Sequence, residues 1–216
     1  MNIVTLPKEI QLLIFGQLKV LDLLNVSETC HHLKDVARDP FLWKKLTLTY
    51  EKIKNKNEAC RNHVSRCSSL REIVITGDDD EKLNRSDSIM SVLMKAKNSL
   101  TSVRLSPGLA LSTSSFKKIG KMTQLTHLAV GGGKLGPEGI SAIACLTELR
   151  TFKVPGIVCE WPSKDEDLLM AALVDLFSKL KKLEKVDIQM KLNDLSDEVV
   201  RSLLNNNPKH TCQEAR

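Results

Sequence analysis

The chain has 216 residues, 42% hydrophobic and 27% charged, with a formal net charge of +6. That length allows one domain or two, and the balance is ordinary for a globular protein. The positive excess does not form the dense, aromatic-interleaved stripe of a nucleic-acid binder, and no stretch approaches the ~18 apolar residues of a membrane span.

Only eight residues are aromatic, so leucine is expected to fill the core. The cysteines are Cys30, Cys60, Cys67, Cys145, Cys159 and Cys212. Met1 leads almost directly into Leu6-Pro7-Lys8-Glu9, without the basic region and apolar core of a signal peptide. The expectation is a reducing, cytoplasmic or nuclear setting with free thiols. Arg104, Lys117, Lys118 and Lys121 lack acidic neighbours in sequence and read as solvated helix faces.

The amino end reads as a set of very short helices. Pro7 suits a first helical turn, and Ile10, Leu13, Ile14 and Leu18 follow as one helical stripe. Leu12 and Phe15 lie on a different face. A helix apolar on two sides must be covered on two sides, and Leu12 and Phe15 are expected on the outer one. A second helix is predicted over 22–28, with Leu21, Leu23, Leu24 and Val26 apolar. A third is predicted over 30–38, with Leu33, Val36 and Ala37 inward. Asp39-Pro40 reads as a cap followed by a first-turn proline, ahead of Phe41, Leu42 and Trp43. So small a unit barely fills a core, so surplus apolar surface is expected to meet a partner or the rest of the chain.

Leu6-Pro7-x-Glu9-Ile10, Ile14-Phe15, Leu18, Leu23-Leu24, Val26, Cys30, Asp39-Pro40 and Leu42-Trp43 together resemble an F-box. Thr29 and Leu33 depart from it, standing where the family commonly has valine and often tryptophan. The resemblance implies binding to the Skp-type adaptor of a cullin ubiquitin ligase. It places the adaptor contacts at Leu6, Pro7, Ile10, Leu12, Phe15, Leu18, Leu24 and Cys30. A unit that only capped a solenoid end would need no apolar outer face.

One apolar spacing then recurs at positions one, four and six. It holds for Trp43, Leu46, Leu48; Leu70, Ile73, Ile75; Leu100, Val103, Leu105; Leu125, Leu128, Val130; Leu149, Phe152, Val154; and Leu183, Val186, Ile188. From Leu70 onward the first positions lie 30, 25, 24 and 34 residues apart. About six strands are predicted. Helix signals fall between them at 50–66, at 89–97 after Ser86 or Asp87, and at 116–122 after Thr113. Others fall at 140–146 after Gly136-Pro137-Glu138, at 168–180 after a Ser163/Glu166 capping box, and at 199–204 after Ser196. Strand and helix in alternation imply parallel strands with right-handed crossovers.

This period and its L-x-x-L-x-L head resemble the leucine-rich repeat. The fold class is then α/β: an N-terminal short-helix F-box over 1–46, a leucine-rich-repeat solenoid of parallel strands with outer helices over 47–207, and a patternless tail over 208–216. Residues between the core positions point to the concave face by the period of two. The target-binding candidates there are Glu72, Val74, Ser102, Arg104, His127, Thr151, Lys153, Lys185 and Asp187. Arg104, His127 and Lys153 are expected in equivalent or near-equivalent slots, a basic spot mid-arc. It either recognises an acidic or phosphorylated segment or is an ordinary solvated sheet face.

The asparagine that often follows the third leucine is absent; Asp78, Gly108, Gly133, Ile157 and Lys191 stand there. Residues 155–163 read as an inserted loop carrying Trp161, either a binding anchor or a side chain folded over its own helix. Cys60, His63 and Cys67 share a helix face but lack the fourth ligand of a zinc site. Cys30-His31-His32 reads as core plus surface, and 77–81 lacks the alternation of a calcium loop. Gly131-Gly132-Gly133 lacks a phosphate-loop pattern and reads as a tight turn. No catalytic residue, metal or cofactor is expected.

The resemblances together imply the substrate-recognition subunit of an SCF-type ubiquitin ligase. It would bind the adaptor, through it cullin, and an unidentified protein substrate, with neither nucleic acid nor membrane as partner. The alternatives are a non-degradative scaffold and a regulator that holds an enzyme by protein binding alone.

Overall fold

The computed structural model describes residues 3–50, 69–77, 86–106, 109–133, 135–157 and 166–190. A 3-10 turn, Ile3–Thr5, opens the chain. Helices α1 (Lys8–Phe15), α2 (Val20–Ser27) and α3 (His31–Ala37) follow, then a 3-10 turn at Pro40–Trp43. Asp39 caps that turn, its Oδ1 accepting from the Phe41 N–H at 3.0 Å, and Pro40 occupies the first turn, where its missing N–H costs nothing. The buried Trp43 indole donates to the Ala37 carbonyl at 2.6 Å, closing the unit on itself.

The predicted strands form where aliphatic side chains alternate with polar ones: β1 (Lys45–Thr49), β2 (Glu72–Thr76), β3 (Ser102–Leu105), β5 (His127–Ala129), β7 (Thr151–Ile157) and β8 (Lys185–Met190). Two-residue strands β4 (Ala110–Leu111) and β6 (Gly132–Gly133) join the same sheet. The six longer strands pair in parallel, each beside the one before it in sequence. Their register repeats too. Leu46, Ile73, Val103, Leu128, Phe152 and Val186 align as one row.

Backbone bonds lock that register at the strand entrances. The N–H groups of Arg71 and Glu72 both reach the Lys44 carbonyl. Thr101 and Ser102 do the same to Arg71, Thr126 and His127 to Thr101, Arg150 and Thr151 to Thr126, and Glu184 and Lys185 to Arg150. A shift of one residue would turn every core side chain to solvent.

Helices α4 (Ser86–Leu93), α5 (Thr113–Ile119), α6 (Pro137–Ile143) and α7 (Glu166–Lys179) pack in series, α4 on α5, α5 on α6 and α6 on α7. Gly120 and Gly139 permit the α5–α6 approach. A Cβ on Gly120 would sit 2.5 Å from the Ala142 carbonyl oxygen, and one on Gly139 2.9 Å from Leu135 Cδ1. A single apolar core runs from Phe15 and Trp43 through the strand rows to Leu183.

Several expectations change. Ser112, not Thr113, caps α5, because Ser112 is extended while Thr113 is already helical. Gly132 and Gly133 pair as a strand rather than only turning the chain. Pro155 to Ile157 continue β7 across a register irregularity instead of starting a loop. The division expected after residue 46 falls inside β1. Six readings lie outside the described residues: the rest of the 50–66 helix, the Cys60/His63/Cys67 set, the 78–81 acidic turn, Trp161, the Ser163 cap, and everything after residue 190.

Candidate functional site

The N-terminal unit is held by one buried polar side chain. Gln11 is 1% exposed, and its amide nitrogen lies 2.9, 3.3 and 3.0 Å from the carbonyls of Ile3, Val4 and Leu6. His32 Nε2 sits 3.1 Å from Gln11 Oε1 and donates to it in the tautomer protonated there. Gln11 thereby ties the first turn and α3 to α1. Lys8 Nζ and Asp39 Oδ2, 2.7 Å apart, tie the start of α1 to the second 3-10 turn. The Lys8 hydrogen bond, aided by the Phe41 N–H, holds the Asp39 carboxyl below its ordinary 3.8. The same bond to Asp39 raises Lys8 above 10.5.

These ties decide which face of α1 is inside, and it is the opposite of the one expected. Phe15 is 2% exposed and belongs to the core, and Leu12 packs partly buried against it. Phe15 shares its inner face with Gln11, one helical turn away, and its ring buries more apolar area than an aliphatic side chain. Outside stand Ile10, Ile14 and Leu13, which is 60% exposed, together with Val4. Two apolar stripes therefore exist, with their sides exchanged.

Among the other expected adaptor contacts, Pro7 is exposed and Leu6 half-buried. Leu18 and Leu24 pack half-buried against the core, and Cys30 is an exposed free thiol just before α3. Phe41, which sequence reasoning did not single out, is exposed with Lys44 Nζ 5.1 Å from its ring centre.

The second candidate surface is the open face of the sheet. One row runs through Lys45, Glu72, Ser102, His127, Thr151 and Lys185, and the next through Thr47, Val74, Arg104, Ala129, Lys153 and Asp187. Arg104 and Lys153 share a row with Ala129 between them, while His127 lies in the other row. The expected three-residue basic spot is thus divided. It is also partly neutralised. Glu72 Oε1 is 3.4 Å from Lys45 Nζ and 3.6 Å from Arg104 Nε, and Lys153 Nζ is 3.7 Å from Asp187 Oδ2. His127 Nδ1 bonds Thr126 Oγ1 at 2.8 Å. Ser102 was expected on the open surface but is 8% exposed, and its hydroxyl has no hydrogen-bond partner among the described residues. Glu72, Val74, Thr151 and Asp187 are half-exposed.

An open groove crosses the outer helices, lined among others by Pro137, Glu138, Leu168 and Asp175, with the Lys117–Glu138 ion pair at its wall. Among the described residues no group of three or more His, Cys, Asp and Glu side chains could hold a metal ion. None of the described helices is long and apolar enough to cross a membrane.

Residues 3–49 match the family model described as F-box-like, which covers the N-terminal unit and ends with β1. The chain has no significant match among curated proteins.

Proposed function

We propose that this chain is the target-binding subunit of an SCF-type cullin ubiquitin ligase. The observation that carries the reading is the uncovered aliphatic stripe on α1, Ile10, Leu13 and Ile14, inside the F-box-like residues 3–49. These side chains are 39–60% exposed, so burying the remainder of each in a partner gains about 1 kcal/mol, and the three together can form the apolar centre of an interface. In this reading the stripe, with Pro7 and Val4, meets a Skp-type adaptor and through it cullin. The in-register strands and outer helices are a leucine-rich-repeat arc that holds the target on its open sheet face. A separate enzyme makes the bond to ubiquitin, and this chain contributes proximity. Its setting is the cytoplasm or nucleus.

Co-precipitation tests this reading. The wild-type chain should bring down adaptor and cullin, and the Leu6→Ala/Pro7→Ala and Ile10→Asp/Leu13→Asp variants should lose both while keeping partners held by the sheet. A target whose level rises on depletion of the chain completes the ligase reading. Cullin retained by a folded Ile10→Asp/Leu13→Asp variant would refute it.

A further inference from the structure

Resting on the target-binding reading above, we propose that the open sheet face takes an extended acidic segment of the target protein, its carboxylates seated on Arg104 and Lys153. Among the described strand residues of that face stand four cations, Lys45, Arg104, Lys153 and Lys185, and two carboxylates, Glu72 and Asp187. Glu72 is shared by Lys45 and Arg104, and Asp187 meets Lys153. Two positive charges stay uncompensated, and that excess is complementary to an acidic partner.

Depth and spacing make the cations the groups a partner meets. Glu72 Oε1, the atom facing both of its cations, is buried, and the Glu72 side chain is 23% exposed against 56% for Arg104. The carboxylate therefore lies low on the sheet and holds the guanidinium by its nearest nitrogen, Nε. The two terminal nitrogens of Arg104 make no hydrogen bond among the described residues, and as a planar fork they fit a carboxylate. Ala129 stands between Arg104 and Lys153 in the register. Two strand spacings, about 9–10 Å, separate their backbones, and no large side chain fills the gap. Same-face side chains of an extended segment lie about 6.6–6.8 Å apart, a distance that two long cations leaning over an alanine can meet. The pairs already present oppose this little. At 3.6 and 3.7 Å, on well-exposed cations, they are weak, so target carboxylates join or replace them at small cost.

Fluorescence anisotropy on the full-length chain tests this. The probes are labelled peptides of alternating alanine and glutamate, with counterparts carrying glutamine, lysine or phosphoserine in place of glutamate. The glutamate peptide should bind about tenfold or more tightly than the glutamine one. Arg104→Glu and Lys153→Glu should each weaken it by about tenfold, and the double variant should prefer the lysine peptide. Arg104→Gln and Lys153→Gln, which bring no new charge beside Glu72 and Asp187, should lose the same preference. Lys121→Glu, an equal change of net charge at an exposed position outside the sheet, should alter binding less than about twofold. Adaptor co-precipitation reports separately on the ligase reading. A chain that binds adaptor but treats glutamate and glutamine peptides alike would overturn this inference alone. An equal loss from Lys121→Glu, or capture of the phosphoserine peptide without the glutamate one, would overturn it as well.

Discussion

Gln11 would pass in the sequence for a surface residue of an amphipathic helix, yet its amide is the buried fastener of the N-terminal unit. Replacing it with alanine takes the side-chain donor from the Leu6 carbonyl and leaves the Ile3 carbonyl with the longer bond from the Leu6 N–H. The cost expected is about 1–3 kcal/mol, read as a melting temperature lowered by about 2–4 °C per kcal/mol in a chain of this size. Asp39 carries a pH-dependent contribution. Its carboxyl titrates below the ordinary 3.8 in the folded chain, so the folded state binds fewer protons than the unfolded one as the medium acidifies. Its stabilisation is complete above that value and disappears as pH falls through the lowered one. Lys8, raised above 10.5, acts oppositely, and its part is lost as pH rises past the raised value. Asp39→Asn keeps a capping oxygen but removes the charge. The melting difference between wild type and this variant should shrink on acidification and in high salt, since Lys8 is exposed.

Helix α1 shows how far a pattern can be read and where it stops. Its periodicity reveals two apolar stripes, but both satisfy the same spacing rule, and only contacts from elsewhere in the chain say which is covered. The assignment has a direct consequence. Phe15→Ala should cost about 3–5 kcal/mol and unfold the unit, while Leu13→Asp should leave stability within about 0.5 kcal/mol and abolish adaptor binding. Circular dichroism on the two variants separates the faces. Between α5 and α6 the controlling element is backbone proximity. Gly120→Val would drive its side chain into the Ala142 carbonyl, with an expected loss of about 1–3 kcal/mol, measurable by urea denaturation.

Across the molecule the N-terminal unit and the sheet share one core, with Trp43 and β1 joining them. The six strands could be placed from sequence because identical slots select leucine-sized side chains at fixed spacing, and each strand sees the same neighbours. The short pairs β4 and β6 could not, since two-residue strands of Ala-Leu and Gly-Gly carry no period. The open face was half legible. Alternation named its residues, but the neutralisation of Arg104 by Glu72 and of Lys153 by Asp187 joins groups some thirty residues apart, a register fact that spacing within one strand cannot express.

The sequence by itself determined the helical amino end with its F-box pattern, the positions of the six longer strands and which side of each is polar. These follow from local spacing and side-chain type. Only the tertiary structure decided that Phe15 lies inside and Leu13 outside, that Arg104 and Lys153 on the sheet are ion-paired, and that Gln11 is buried. Each of those depends on which distant groups arrive to cover, charge or hydrogen-bond a side chain, and no local pattern encodes that.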